Sequence, residues 1–401
     1  MLPAPLKQYL IITGNYWAFT VTDGAIRMLV VLHFYQLGYS PFEIALLFLF
    51  YEFFGIVTNL VGGWLGARMG LNLTMQVGTA LQVFALLLLT VPEAWLTVGY
   101  VMFAQALSGI AKDLNKMSAK AGVKMVSGDG DQKLFRWVAW ITGSKNALKG
   151  VGFFVGAALL AAVGFRWALV ILAGMLFLSL LMTLNLPRGL GKTKEKAKFS
   201  GIFAREPAIN WLSGARVFLF GARDVWFVVA LPVFLVSIGW NFEHVGAYLA
   251  LWVIGYGLVQ ALAPKLLKAK ERDIGAPTVA GWTTALTVVP LLIWGGLALD
   301  LNPSVVLVAG LALFGVVFAL NSALHSYLIL KYSDFDKAAM NVGFYYAANA
   351  GGRLIGTVLS GLAYQKIGIE GCLIISAVFI GLAALVTVKL AAREKGLLPE
   401  A

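Results

Sequence analysis

The stretch LSGIAKDLNKMSAK, residues Leu107 to Lys120, ends a long apolar run that begins near Trp95. A run of this kind predicts a helix that crosses a membrane. Lys112, Lys116 and Lys120 follow one another at intervals of four residues, so their ammonium groups share one helix face. A lysine at the bilayer centre costs about 2.5–3.5 kcal/mol on insertion scales. These bases therefore predict a water-filled cavity that accepts anions.

The same stretch leaves a simpler interpretation open. Asp113 can neutralise one of the three lysines. Lys116 and Lys120 lie nearest the end of the run and can extend their side chains to the cytoplasmic interface. Lys112 lies deepest in the run, and it is therefore the best of the three candidates for a cavity.

The composition of the whole chain indicates a polytopic helical membrane protein. Of its 401 residues 60% are hydrophobic and only 12% are charged, and the mean hydropathy is +0.84. Soluble domains carry roughly twice this charged fraction. Apolar runs of about 20 residues argue against an outer-membrane barrel, whose strands give shorter alternating segments. The single cysteine, Cys372, rules out an internal disulfide and a multi-thiolate site, and we expect neither a metal nor a cofactor.

The distribution of basic residues predicts the topology. We place twelve transmembrane helices at roughly 9–37, 43–66, 72–92, 95–120, 137–163, 166–186, 209–238, 244–267, 277–299, 303–330, 337–365 and 369–391. Among the connections and chain ends, 21 Lys and Arg lie on one side, and only Arg166 and Lys366 lie on the other. This bias predicts that both termini and the large central loop lie in the cytoplasm. Most of the net charge of +12 is therefore topology, and we expect no nucleic-acid binding.

Corresponding residues recur in the two halves of the chain at an offset of about 200 residues. Gly152 and Gly156 in the fifth span match Gly352 and Gly356 in the eleventh. Glycines spaced by four allow helices to approach closely, so packing alone can explain them.

Twelve spans with an internal repeat resemble the major facilitator architecture. That architecture implies two pseudo-symmetric six-helix bundles, here 1–188 and 207–401, joined by a cytoplasmic linker loop at 189–206. It also implies a substrate site at the membrane midplane between the halves.

More bases than acids lie inside the predicted spans. The eight bases are Arg27, Lys112, Lys116, Lys145, Lys149, Arg216, Arg223 and Arg353, and the four acids at comparable depth are Asp23, Glu52, Asp113 and Asp224. If every acid pairs with one base, about four positive charges remain, and unpaired they are costly in hydrocarbon. A hydrated cavity that receives a multiply charged anion resolves this cost.

Seven of these bases are our candidates for binding substrate: Arg27, Lys112, Lys116, Lys145, Lys149, Arg223 and Arg353. The four acids are candidates for coupling or charge pairing. Asp23 and Arg27 lie four residues apart, so we expect them to pair on one helix face, and Asp224 can likewise hold a neighbouring base. Glu52 has no base within four residues of its own helix, and a buried carboxyl of this kind can carry a proton.

Four blocks narrow the resemblance. GNYWAFTVTDGAIRMLVVLHF (Gly14–Phe34), LSGIAKDLNKMSAK, GSKNALKGVGFFVG (Gly143–Gly156) and FLFGARDVWFVVALPVF (Phe218–Phe234) resemble the ArsJ organoarsenical efflux permeases of bacterial arsenic-resistance operons. The resemblance implies export of 1-arseno-3-phosphoglycerate, and thereby resistance to arsenate. It also implies a functional partner, the glyceraldehyde-3-phosphate dehydrogenase that makes this ester from arsenate and glyceraldehyde 3-phosphate. The ester has two oxyanion ends, and we expect Arg27 and Arg223 to bind opposite ends.

Three other functions are weighed against this secondary transporter, which works by alternating access. An exchanger of ordinary organophosphates for phosphate stays open, and protons stay open as the coupling ion. A membrane sensor needs an added signalling domain, and the loops are too short to hold one. An intramembrane enzyme needs a nucleophile–base pair or a metal cluster, which the pattern does not supply, so we do not expect an enzyme.

Overall fold

The computed structural model describes residues 4–69, 71–127, 131–186, 206–267, 275–332 and 338–395. All regular elements in these residues are helical, which confirms the all-α fold class. The α-helices are α1 (Ala4–Gln36), α2 (Pro41–Leu46), α3 (Leu49–Met69), α4 (Leu71–Leu88), α5 (Val98–Ser127), α6 (Asp131–Thr183), α7 (Pro207–Phe227), α8 (Ala230–Ser237), α9 (Phe242–Leu266), α10 (Ala276–Ala298), α11 (Pro303–Lys331) and α12 (Ala338–Glu394). The predicted linker at 189–206 lies outside the described residues, apart from Glu206.

Eight helical segments of the described residues are long and apolar enough to cross a membrane. They are Leu10–Gln36, Pro41–Val61, Ser144–Thr183, Pro207–Ser237, Phe242–Ala263, Ala276–Ala298, Pro303–Ile329 and Gly343–Glu394. Their exposed sides carry large apolar residues such as Leu251, Leu262 and Val305, as expected of surfaces that face lipid. The chain is therefore a multi-pass membrane protein, whereas the count of twelve spans stays a prediction.

Single glycines divide the two longest helices. Gly164 in α6 has φ 76° and ψ 173°, and Gly368 in α12 has φ 68° and ψ −171°. Only glycine adopts this region of backbone conformation at low cost. Both glycines fall in the short gaps that the sequence predicts, between 163 and 166 and between 365 and 369.

A further break, which the sequence analysis did not predict, separates α7 from α8. Pro232 has no N–H, and its ring clashes with the carbonyl of residue 228, so a continuous helix is disfavoured here. The amides of Val229 and Ala230 donate instead to Oγ of Ser360 on α12, at 3.2 and 3.0 Å. This hydroxyl satisfies two backbone groups that would otherwise be costly in an apolar setting.

The Cα positions form two compact units. The first unit comprises Met1–Leu37, Phe50–Ser200 and Asn241–Ile254, and the second comprises Gly38–Leu49, Gly201–Trp240 and Gly255–Ala401. The domain boundaries from the sequence, 1–188 and 207–401, stay a prediction.

A glycine seam joins α1 to α6 in the first unit. A Cβ on Gly152 would collide with the carbonyl oxygen of Val21, and a Cβ on Gly156 would collide with the backbone of Ala25. Gly24 on α1 lies against the same part of α6. The two backbones therefore touch with no side chain between them, as the packing interpretation of these glycines requires.

The equivalent seam in the second unit joins α7 to α12. A Cβ on Gly352 would collide with the carbonyl oxygen of Val217, and a Cβ on Gly356 would lie 2.6 Å from the carbonyl oxygen of Gly221 and 2.8 Å from Cβ of Asp224. The predicted repeat of glycine pairs thus has one structural role in both units, which is to bring two charge-bearing helices into backbone contact.

Candidate functional site

In the first unit, the charged side chains gather around Asp23 and Tyr51. Asp23, on α1, is buried and accepts a short hydrogen bond from the Tyr51 hydroxyl. Nζ of Lys149, on α6, lies 3.6 Å from Oδ2 of the same carboxylate. The glycine seam holds α1 and α6 at the separation that this ion pair needs. Gly109 on α5 supports Tyr51 from the other side, because a Cβ there would collide with the Tyr51 backbone.

Arg27 finds its partner on another helix. Nη2 of Arg27 lies 2.7 Å from Oε1 of Glu52 on α3, and the two side chains are only 5% and 1% exposed. The sequence predicted an Asp23–Arg27 pair from their spacing, but the close carboxylate at Arg27 is Glu52. Glu52 thus serves first as a buried counterion, and the pairing of α1 with α3 could not be read from either helix alone.

Lys112 is held by an aromatic ring. Its Nζ lies 4.0 Å from the centroid of the Tyr51 ring, and Cζ of Arg27 lies 5.1 Å from the same centroid. Cations over an aromatic face gain modestly from the ring quadrupole. Among the described residues no carboxylate lies within 4.0 Å of Lys112, so its charge is not neutralised by an ion pair there.

Lys116, the next base on α5, lies beside polar groups. Lys116 lies 3.4 Å from the buried Asp113 and donates to Oδ1 of Asn59 at 2.9 Å. Thr58 donates to the second oxygen of Asp113 at 3.3 Å. Lys145 is partly buried on α6, one turn before Lys149. The side chain of Lys120 lies outside the described part of the chain, so the predicted ladder is described at Lys112 and Lys116 only.

In the second unit, one carboxylate is shared by two arginines. Arg223 directs Nε at Oδ1 of Asp224, at 2.6 Å, with Nη2 also close to that oxygen. Nε of Arg353 on α12 donates to Oδ2 at 3.1 Å. Asp224 is fully buried, whereas the arginine side chains keep 15% and 16% of their surface exposed. The triad carries a net positive charge, which favours an anion beside it.

Arg216 is buried, and its hydrogen-bond partners among the described residues are neutral. It is 4% exposed, with Nε donating to Oδ1 of Asn349 at 3.0 Å and Nη1 donating to Oγ of Ser322 at 3.3 Å. Its Cζ lies 3.8 Å from the ring centroid of Phe220 and 5.0 Å from that of Tyr345. All these partners are neutral, and no acid of the described residues lies within ion-pair distance.

Within the predicted spans, each unit therefore holds more basic than acidic residues. The first unit has five bases and three acids, and the second has three bases and one acid. All four acids are in ion pairs with the candidate bases. Positive charge thus remains in both units after the acids are paired.

Comparison with known proteins identifies the family. The model of the Major Facilitator Superfamily matches residues 10–297, well over half of the chain. The chain belongs to the Major Facilitator Superfamily. It is a membrane transporter rather than an enzyme.

Solved structures of other major facilitator transporters share the fold. A POT family transporter in complex with a thioalcohol-conjugated peptide has a TM-score of 0.78 at 12% identity, covering 98% of this chain and 96% of that chain. A mutant of the nucleoside transporter NupG has a TM-score of 0.73 at 15% identity, covering 96% and 99%. A D-xylose–proton symporter has a TM-score of 0.74 at 12% identity, covering 96% and 97%. At such identities the likeness concerns the fold alone, and no curated protein matches the chain.

For this major facilitator protein the sequence found most of the charged residues and few of their partners. Residues of α3 contact three of the predicted charges, namely Lys112, Asp113 and Lys116. Three others form one triad, namely Arg223, Asp224 and Arg353. Tyr51 was missed, because a tyrosine in an apolar run carries no signal of its own. Arg216 was weighed but left out of the candidates, since nothing in the sequence marks its neutral partners.

Proposed function

We propose that this protein is a secondary transporter that exports a small organic anion with several negative charges, working by alternating access. The observation that carries the proposal is the surplus of bases over acids in each unit. Buried cations without counterions are costly, so a site of this kind is stabilised when an anion enters it. A neutral sugar or nucleoside would leave the surplus charge in place.

The substrate that we propose is 1-arseno-3-phosphoglycerate. Its support is the resemblance of four sequence blocks to the ArsJ permeases, together with the match between two oxyanion ends and several separate cations. Arginine binds such ends through two parallel N–H groups, and lysine acts as a point charge. The proposal includes a glyceraldehyde-3-phosphate dehydrogenase as the functional partner that supplies the substrate.

The proposed topology has twelve spans in two six-helix bundles, with both termini in the cytoplasm of a bacterium. At 53 and 57 residues, α6 and α12 are each about 80 Å long at a rise of about 1.5 Å per residue. A bilayer core is only about 30 Å thick. Division at Gly164 and at Gly368 would give each helix two crossings and raise the eight candidate segments to ten, and α4 and α5 would supply the other two of the proposed twelve spans.

The substrate-binding residues are also proposals. Lys112 is the foremost candidate in the first unit, because no carboxylate of the described residues lies within 4.0 Å of it. Arg223 and Arg353 are the candidates in the second unit, because they share one carboxylate. Arg27, Lys116, Lys145 and Lys149 stay candidates that act through the same clusters. Asp23, Glu52, Asp113 and Asp224 hold these bases in place, and an acid released from its pair is the proposed proton carrier.

A resistance assay tests the function. Arsenate-sensitive bacterial cells would express the transporter with and without a glyceraldehyde-3-phosphate dehydrogenase, with arsenate as the challenge. We expect resistance only when both proteins are present. Arg223→Gln should abolish it at normal membrane expression, whereas the control Lys366→Gln, which changes an exposed base, should not. Wild-type cells that gain no resistance with the dehydrogenase present would contradict the organoarsenical substrate.

An exchanger of ordinary organophosphates for phosphate is the second candidate, favoured by the same surplus charge. Proteoliposomes loaded with inorganic phosphate separate the two. Uptake of an organophosphate that requires internal phosphate, in a protein that gives no arsenate resistance, would favour the exchanger.

A further inference from the structure

The surroundings of Arg216 form a second group of anion-binding donors on the same helix as Arg223. Phe220 lies between the two arginines, with its ring centroid 3.8 Å from Cζ of Arg216 and 5.0 Å from Cζ of Arg223. Both guanidiniums therefore lie on the same flank of α7. The Arg216 end is defined here as the Arg216 subsite, made of Arg216, Tyr256, Gln260, Ser322 and Asn349.

Three polar side chains converge on the Ser322 hydroxyl in the Arg216 subsite. Oγ of Ser322 lies 3.3 Å from Nη1 of Arg216, 3.1 Å from Oη of Tyr256 and 3.4 Å from Nε2 of Gln260. This hydroxyl accepts up to two hydrogen bonds and donates one, so it gathers the guanidinium, the phenol and the amide at one point. An oxyanion with three or four oxygens would accept from all three donors at once.

A buried histidine also lies near the Arg216 subsite. His325 lies one turn from Ser322 on α11 and is fully buried, and neither of its ring nitrogens has a hydrogen-bond partner within the described residues. Other buried polar side chains of the described residues, such as Gln82 and Gln105, also lack hydrogen-bond partners, but His325 lies close enough to Arg216 for the two to interact electrostatically. The unpaired imidazole and the uncompensated guanidinium together point to a ligand rather than to a neutral packing role.

We propose that the Arg216 subsite binds one oxyanion end of the cargo while Arg223 and Arg353 bind the other. The guanidinium carbons of the two arginines on α7 lie 3.8 and 5.0 Å from one Phe220 ring centroid, so they are no further apart than the sum of these distances. A three-carbon chain with an oxyanion at each end spans about 6 Å, at about 1.5 Å per bond. An anion of this length that lies alongside α7 reaches both guanidiniums with hydrogen bonds of about 2.8 Å.

This inference rests on the proposed function and makes it more specific. The sequence led us to expect that Arg27 binds one end of the substrate. Arg27 is already neutralised by Glu52 at 2.7 Å, whereas Arg216 has only neutral partners among the described residues. We therefore assign Arg216 rather than Arg27 to the second end of the cargo, and we expect the protein to select anions with two charged ends over anions with one.

Equilibrium binding tests the inference. The full-length protein in lipid nanodiscs would be titrated with 3-phosphoglycerate, which has two charged ends, and with inorganic phosphate, which has one. The wild type should bind the two-ended anion at least tenfold more tightly. Arg216→Gln should bring the ratio of the two affinities close to one, and Arg216→Lys should restore it only in part. The matched control Lys366→Gln should keep the wild-type ratio.

Ser322→Ala provides a second variant in case Arg216→Gln does not fold. It removes only the hydroxyl that positions Arg216, Tyr256 and Gln260 around one point, and it should lower the ratio at least threefold. A wild-type ratio near one, or a full ratio in folded Arg216→Gln or in Ser322→Ala, would overturn the inference. Resistance to arsenate is measured separately in cells. If Arg216→Gln loses the affinity ratio but wild-type cells gain no resistance, the subsite stands and the organoarsenical function is contradicted. If Arg216→Gln keeps the full ratio and wild-type cells gain resistance, the function stands and the subsite is contradicted.

Discussion

Removal of the Glu52 carboxylate should destabilise the protein through Arg27. The two groups lie 2.7 Å apart at 1% and 5% exposure, so their attraction is about 6 kcal/mol at an effective dielectric constant of about 20. Desolvation offsets much of this attraction while both partners are present. Glu52→Ala leaves the guanidinium buried without its partner, which costs about 3–5 kcal/mol. The double variant Arg27→Met with Glu52→Ala removes both charges and should recover most of this loss.

Thermal unfolding of the purified protein in detergent measures the effect, with all four members of the double-mutant cycle compared at one protein concentration. The pair Asp23–Lys149, at 3.6 Å and with the lysine 19% exposed, provides the matched comparison and should give a smaller coupling energy. Losses of Tm in the two single variants that simply add in the double variant would refute the reasoning. So would a Glu52→Ala variant that unfolds at the wild-type temperature.

Three further predictions concern packing, topology and charge. Gly152→Ala should lower stability by about 1–3 kcal/mol because the added methyl group overpacks the glycine seam. Gly255→Ala, at a glycine with open space around it, should be close to neutral. Thermal unfolding measures both variants, and equal Tm values would contradict the close packing at Gly152. Reporter fusions after residue 195 and at the C-terminus should both read cytoplasmic, and a periplasmic signal at either would contradict the topology. Lys112→Gln should weaken anion binding in nanodiscs about tenfold, or about 1.4 kcal/mol. The control Lys265→Gln, which changes an exposed base, should leave binding unchanged. Unchanged binding in both variants would exclude Lys112 from the site.

The fold was largely predictable because membrane segments follow from apolar length and because glycine leaves a visible spacing. Gly152 and Gly352 were recognised as equivalent before any contact was known, and the gaps at Gly164 and Gly368 were placed within a residue or two. The break at Pro232 was missed because the apolar run continues across it.

The candidate site was less predictable, because its partners lie far apart in the chain. From their spacing of four residues on one helix, we expected Asp23 to pair with Arg27. The structure instead places Lys149 beside Asp23 and Glu52 beside Arg27. Long-range pairing of this kind depends on helix packing, which one sequence does not display. Arg216 was undervalued for a related reason, since Ser322 and Asn349 are ordinary residues until the fold brings them to one guanidinium.

The seam between α1 and α6 has a mechanical consequence. Flexible side chains between helices act as soft spacers that absorb small displacements, but backbone against backbone at Gly24 and Gly152 has no such slack. We therefore expect a displacement of α6 by about 1 Å to displace α1 as well. The Lys149–Asp23 ion pair lies at this seam. An anion bound by Lys149, as we propose, would therefore act on α1 and α6 together.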